Sequence, residues 1–257
     1  MNIVACLKQT FDTEAKIVLD GSGKIDGTGV NLVINPYDEF AVEEALKLRE
    51  KFGGQVTLVS LGGERAQESL RTALAMGCDE AVLICDPSLE SPDEWVCTEV
   101  LAKAVSQLPY DVILAGRIAV DDGSAQVAVR LADALNIPSV SSILKLEVEE
   151  GKASAVREID GGTELIEVSL PALFTAQKGL NIPRYPSMMG IMKAKKKEIK
   201  IMTLADLGLS AEDLPRKISV TKYSLPSPRK GGARIAGEAA EAAKELARLL
   251  REEAKVI

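Results

Sequence analysis

Apolar positions in the first 135 residues follow two alternating periods. Short continuous apolar runs at 3–7, 56–61, 81–85 and 112–115 each precede stretches in which apolar residues recur every three or four positions. Within 36–52, Ala41, Ala45, Leu48 and Phe52 are spaced by four, three and four, which puts them on one helix face. Similar spacing predicts helices over 64–76, 93–107 and 124–135. Strand–helix alternation of this kind predicts an α/β fold, a doubly wound and mostly parallel sheet with helices on both faces. Ligands of such sheets sit at the carboxyl ends of the strands, near the point where strand order reverses. The loops that follow strands are therefore the places to look for chemistry.

The pattern changes after Pro138. Residues 142–148 and 153–158 alternate apolar and polar and flank Glu150-Gly151, a hairpin signal, and 163–170 and 172–176 add two more strands. This predicts a β-rich extension of the same domain, ending near residue 192. Beyond it lies a basic run, Lys193, Lys195, Lys196 and Lys197, then a segment spaced by Pro215, Pro226 and Pro228. Gly231-Gly232 precedes a final helical pattern over 233–254. A long connection with little apolar content rarely packs on its own domain, so 193–257 is expected to be an arm that drapes over a partner.

Composition narrows the function. With 257 residues, 46% hydrophobic and 27% charged, the chain can build its own core without a metal or disulfide staple. A net charge of −7 argues against nucleic acid as a partner, since phosphate backbones require a basic face. The four cysteines form no C-x-x-C pair, so zinc and iron–sulfur sites are not expected. Cys6 and Cys85 lie in apolar runs and are expected to be buried, reduced thiols. No apolar stretch approaches the ~20 residues of a spanning helix, and no leader pattern opens the chain; a cytoplasmic protein without membrane insertion is expected. Histidine is absent, which removes Ser-His and Cys-His nucleophiles, histidine bases and histidine metal ligands. Any chemistry falls to other side chains or to a cofactor.

Four loops are candidates. In Asn35-Pro36-Tyr37-Asp38-Glu39, Asn35 suits an N-cap, Pro36 the first helical position, and the two acids the positive end of the helix dipole. Those carboxylates repel phosphate, so Asn35 would meet a base or ribose; a well-capped helix explains the segment equally well. The loop 116–126 follows a strand and opens a helix, an arrangement that binds phosphate through backbone N–H groups. Gly123 allows close approach, Ser124 can cap and Arg117 supplies a cation, while Asp121 and Asp122 oppose an anion. It is neither G-x-G-x-x-G nor a P-loop, and an ordinary strand–helix turn is the alternative. The third loop, 157–164, is a hairpin turn at Asp160-Gly161-Gly162. The fourth, 183–192, combines two prolines with Met188, Met189 and Met192, an adaptable apolar contact surface or a partly buried loop beside solvated lysines.

Together these segments resemble the β subunit of electron transfer flavoproteins, from Met1 to about Gly208. The residues carrying the resemblance are Asn35-Pro36-Tyr37-Asp38-Glu39 with Ala41-Val42-Glu43-Glu44-Ala45, and Arg71-Thr72-Ala73-Leu74-Ala75-Met76-Gly77. Asp160-Gly161-Gly162, Glu164 and Pro171 fall at the spacing of the family signature, and Asn181 to Tyr185 and Ile191 to Lys197 also match. The resemblance implies an adenine-nucleotide α-hydrolase-like fold and a heterodimer with an α subunit. FAD is shared with that subunit, electrons arrive from flavin dehydrogenases of the acyl-CoA type, and they leave to a quinone oxidoreductase or another acceptor. It implies a nucleotide at Cys6, Asn35, Leu61, Arg117, Asp121, Gly123, Ser124, Ala125, Gln126 and Val127, and the partner's flavin at Tyr37. It implies dehydrogenase docking at 184–192, through Arg184, Met188 at the loop tip, and Ile191.

Two points depart from the family pattern or divide it. The run Ala125-Gln126-Val127-Ala128-Val129 replaces the Asn-Gln-Thr-Gly-Gln-like run of AMP-binding relatives; Ser124-Ala125-Gln126-Val127 resembles the middle of the bifurcating run, without its Gly-Pro. The Asp-Gly-Gly turn and the lysine run resemble AMP-binding members. The implied nucleotide is a structural AMP, with a second FAD that exchanges electrons with NADH as the alternative. A stand-alone adenine-nucleotide protein of the stress type would need a spaced glycine phosphate motif, which is missing, and gives the arm no role.

Overall fold

The computed structural model describes residues 1–228 and 231–257. These fall into two units, one of Met1–Ile17 with Asp26–Thr221, the other of Val18–Ile25 with Lys222–Ile257.

In the first unit the expected alternation is present. β1 (Asn2–Cys6) is followed by β2 (Gln9–Phe11) and β3 (Leu32–Ile34), a small antiparallel pair that the apolar pattern does not announce. Then come α1 (Pro36–Phe52), β4 (Gln55–Leu61), α2 (Ala66–Met76), β5 (Glu80–Ile84), α3 (Glu94–Val105), β6 (Val112–Gly116) and α4 (Val127–Ala134). Helix starts follow the local chemistry: Pro36 opens α1, and the Asp93 carboxylate caps α3 by accepting from Val96 N at 2.8 Å. Helix α4 begins three residues later than the spacing predicts, because Ala125 adopts a left-handed φ of 54°.

The second half supplies β7 (Ser139–Glu149), β8 (Lys152–Ile159), β9 (Gly162–Ser169), β10 (Ala172–Ala176), a short α5 (Met188–Ala194) and β11 (Lys200–Met202). Nine strands form one sheet in the order β11-β5-β4-β1-β6-β10-β7-β8-β9. All pairings are parallel except β7–β8 and β8–β9. The chain runs outward from β1 through β4 and β5 on one side, and returns to β6 on the other. The switch point thus lies between β1 and β6.

Both faces are covered, which is why the central strands are continuously apolar. Ile3, Leu58, Leu114 and Phe174 pack with Val42, Leu46, Leu70 and Leu74 of α1 and α2. Val4, Val59, Ile113 and Leu173 pack on the other face with Val96, Val100 and Leu131 of α3 and α4.

Residues 193–221, expected to begin the arm, belong to the first unit. Ala194, Ile199, Met202, Leu204, Leu207 and Leu214 are buried, and β11 pairs with β5 at the sheet edge. Widely spaced single apolar residues were enough to hold this stretch down. The second unit carries α6 (Ala239–Glu252), shorter at both ends than the pattern over 233–254, with no buried residue. Arg248 bridges Glu245 at 2.7 Å and Glu252 at 2.9 Å along its polar face. Residues 229–230 of the expected arm lie outside the described residues.

The cysteine expectation is corrected. Cys6, the last residue of β1, and Cys85, the residue after β5, are only partly buried, because both stand at the sheet's carboxyl edge; Cys78 is the fully buried thiol.

Candidate functional site

The carboxyl ends of β1 and β6 meet at the switch point, and helix α1 starts directly above them. Asp38, in the first turn of α1, is buried and ties the two strand ends together. Its Oδ2 accepts from Lys8 N at 2.7 Å and its Oδ1 from Gly116 N at 2.8 Å. Its role is therefore not to sit in solvent at the helix dipole. Burial pushes its carboxyl up to about 7, against the pull of the N–H groups that hydrogen-bond its charged form. Gly116 has no substitute here, since a Cβ would stand 2.3 Å from Asp38 Oδ1 and 2.8 Å from the Tyr37 carbonyl carbon.

Asn35 occupies the N-cap position of α1 but makes no side-chain cap, correcting that expectation. Its buried amide turns to the loop after β6, donating from Nδ2 to Ile118 O at 2.9 Å and accepting at Oδ1 from Val120 N at 3.2 Å. Its backbone N–H donates to Lys8 O at 2.9 Å. An amide supplies both donors and an acceptor, and Asn35 uses one of each to fix this loop.

The loop itself holds most of the sequence-predicted residues. Arg117 packs its guanidinium over the Tyr37 ring, 5.5 Å from the centroid, and its buried Nε has no partner among the described residues. Lys8, which sequence reasoning passed over, reaches Asp121 at 2.8 Å and Asp122 at 2.7 Å. Burial pulls the Lys8 ammonium down, but these two carboxylates outweigh it and leave it above its ordinary value. Ser124 does not cap α4; its N–H donates to Asp122 Oδ1 at 2.9 Å. Gly123 adopts a left-handed φ of 66°, which favours glycine, and no atom of the described residues lies within 4 Å of where its Cβ would stand. Ala125 holds a left-handed φ without being glycine, a local strain of the kind that collects at functional loops. The N–H groups of Ala125 and Gln126 find no acceptor among the described residues, and they lead into the free N–H groups of Val127 and the first turn of α4. Together with Arg117 they make a donor set that fits a phosphate-bearing group.

Cys6 and Leu61 close the same edge at the ends of β1 and β4. Burial, and secondarily Asp38, push the Cys6 thiol up to about 12, so it is a neutral wall and not a nucleophile.

Arg184, Met188 and Ile191 lie elsewhere, on the segment after β10. Arg184 is committed within the chain, to the nearly buried Glu43 at 2.8 Å and to Glu50. It fixes the root of the segment instead of offering a free charge. Asn181 Nδ2 adds bonds to Phe40 O and Glu44 Oε2, both at 2.9 Å. Ser187 caps α5, accepting at Oγ from Gly190 N at 3.0 Å, and Arg71 binds the carbonyls of Ala194 and Lys197 at its far end. On this frame Tyr185 is 94% and Met188 78% exposed, and Ile182, Met189, Ile191 and Met192 are exposed beside them. No helix among the described residues is long and apolar enough to cross a membrane.

Comparison with known proteins gives a consistent result. The electron transfer flavoprotein domain model matches residues 22–207. The chain is 50% identical to the electron transfer flavoprotein subunit beta of Bacillus subtilis, over all of both chains. It is 43% identical to the protein of that name from Syntrophomonas wolfei, across 100% of this chain and 98% of the other. It is also 38% identical to a caffeyl-CoA reductase–Etf complex subunit of Acetobacterium woodii, across 91% of each chain.

Proposed function

The chain belongs to the electron transfer flavoprotein family as a β subunit, and from that premise we propose that it holds a structural AMP in the loop Arg117–Val127 while its α partner holds the redox FAD. The observation that carries this reading is the convergence of Asn35, Asp38 and Lys8 on one loop at the β1/β6 switch point. Three polar tethers on a single loop are more than a strand–helix turn needs. Asn35, Cys6 and Leu61 border the base and ribose side, and the N–H groups leading into α4 with Arg117 face the phosphate.

Bound flavin supplies the electron chemistry. This chain's residues position and exclude water, which is consistent with the absence of histidine. Tyr37, braced by Arg117, faces the partner's flavin, and the segment 184–192 docks flavin dehydrogenases of the acyl-CoA type through Met188. A quinone oxidoreductase is the proposed acceptor, and residues 222–257 pack on the α subunit with the apolar stripe of α6.

A second reading places a second FAD in the same loop, as part of an electron-bifurcating complex. Ser124-Ala125-Gln126-Val127 and the similarity to the Acetobacterium woodii complex subunit favour it. Acid extraction of the purified α/β complex, with identification of the released nucleotides, decides between them. One FAD and one AMP per heterodimer is the expected result, and two FAD selects the second reading. FAD alone, at one per heterodimer, would sink both.

A further inference from the structure

We propose that Lys8 is the charge-balancing and positioning residue of the nucleotide site, without which the loop 116–126 repels the phosphate it is built to hold. The inference rests on the reading of that loop as a site for an adenosine 5′-phosphate moiety, the part shared by AMP and FAD.

Lys8 stands one residue beyond Leu7, just past the end of β1, and is held at three points. Its N–H donates to the buried Asp38 carboxylate at 2.7 Å, and its carbonyl accepts from Asn35 N at 2.9 Å. Its ammonium then spans to Asp121 and Asp122, more than a hundred residues away, at 2.8 and 2.7 Å.

The electrostatics give the reason. Asp121 and Asp122 put two negative charges in the same loop as Ala125 and Gln126, whose N–H groups a phosphate would use, three to five residues before them. Arg117 alone offsets one of them. The Lys8 ammonium offsets the other and draws both carboxylates toward β1. Their remaining lone pairs are occupied within the loop, Asp121 Oδ1 by Asp122 N and Asp122 Oδ1 by Ser124 N, both at 2.9 Å. All three side chains are more than a third exposed, so as a stabiliser of the fold the cluster contributes little. Its effect on an anion held in the same loop is the larger one, because a full charge is added or removed there.

The test uses the α/β heterodimer, stripped of the nucleotide in this subunit, with AMP and FAD as separate probes in equilibrium dialysis. In Lys8→Met the dissociation constant is expected to rise roughly tenfold, equivalent to about 1.4 kcal/mol, with the thermal midpoint little changed. Lys8→Arg should stay within about threefold of wild type, because it keeps the charge. Lys8→Met combined with Asp121→Asn and Asp122→Asn should recover to within about threefold, since the amides keep the oxygens that bond the loop N–H groups while removing the repulsion. A Lys8→Met complex that binds like wild type, or a triple variant as weak as Lys8→Met, overturns the role of Lys8 and leaves the nucleotide site standing. A wild-type complex that binds neither probe overturns the site, and this inference with it.

Discussion

Two segments leave the carboxyl edge of the sheet, one after β6 and one after β10, and both are organised by helix α1. The first is tied to the helix start: Asn35 and Asp38 reach into it, and Lys8 holds its acidic tip. The second is tied to the helix flank, where Glu43, Glu44 and Glu50 hold Asn181 and Arg184. From there they diverge. The loop after β6 has its polar groups bonded within the chain as far as Ser124, including the exposed Asp121 and Asp122. The segment after β10 is fixed at its root, at its cap and at its far end by Arg71, and between these points projects Tyr185, Met188, Met189 and Met192 into solvent. A small ligand needs donors held within fractions of an ångström, while a protein partner needs an apolar face that can adapt. The two loops differ in the way those demands differ.

The comparison is sharpened most by pH. Asp38 should be the element of the first loop that titrates, with a folded value of about 7 against an ordinary carboxyl value of 3.8. A raised carboxyl favours the folded state when protonated. Stability is therefore expected to fall as pH rises from about 4 to about 7 and to level off above, by on the order of 4 kcal/mol for one proton. Urea unfolding across that range should show this slope in wild type and lose it in Asp38→Ala; parallel slopes would place the ionisation elsewhere.

A smaller effect is expected at the root of the second segment. Arg184→Ala leaves Glu43 nearly buried with only the backbone N–H of residue 184 to bond it. The cost should be about 2 kcal/mol, below that of a fully buried pair because Arg184 is a third exposed. Dehydrogenase docking should fall with it while nucleotide content holds. Loss of nucleotide in this variant would show that the two loops are coupled through α1, and the contrast would break.

At the tip, Met188→Asp is expected to lower electron transfer from the dehydrogenase roughly tenfold, or about 1.4 kcal/mol. Folding and cofactor content should be unaffected, and stopped-flow flavin reduction measures it. Unchanged rates would remove Met188 from the docking surface. The smallest effect belongs to Gly123→Ala. Space is available for the methyl, so only the left-handed φ is penalised, by about 1 kcal/mol. Nucleotide affinity should drop several-fold. An affinity that collapses entirely would mean that the ligand's own atoms pass within contact distance of residue 123.

Much of this was legible in the sequence. The alternation of periods 3.6 and 2 and the hairpin at Glu150-Gly151 follow from local patterns, because an apolar face must be buried wherever it occurs, whereas the strand order that sets the switch point does not. The loops after strands were also identifiable, and with them the candidates Arg117, Gly123 and Met188, whose roles are proposals. What local pattern cannot reveal is what a polar side chain does at a distance. Asn35 and Asp38 have the signature of a capped helix start, and only the meeting of β1 with β6 turns them into tethers of another loop. Lys8 carries no motif at all, and it matters because 113 residues later the chain returns beside it. The same holds for 193–221, where isolated leucines find pockets no periodicity encodes. Sequence by itself determined the main strands and helices of the layered fold and the family, since these rest on interactions between near neighbours and on the burial of apolar faces, but not the β2–β3 pair or β11. Tertiary structure alone decided which charges meet and which hydrogen bonds are spent. Those pairings depend on distances that exist only after the sheet has closed its order around β1.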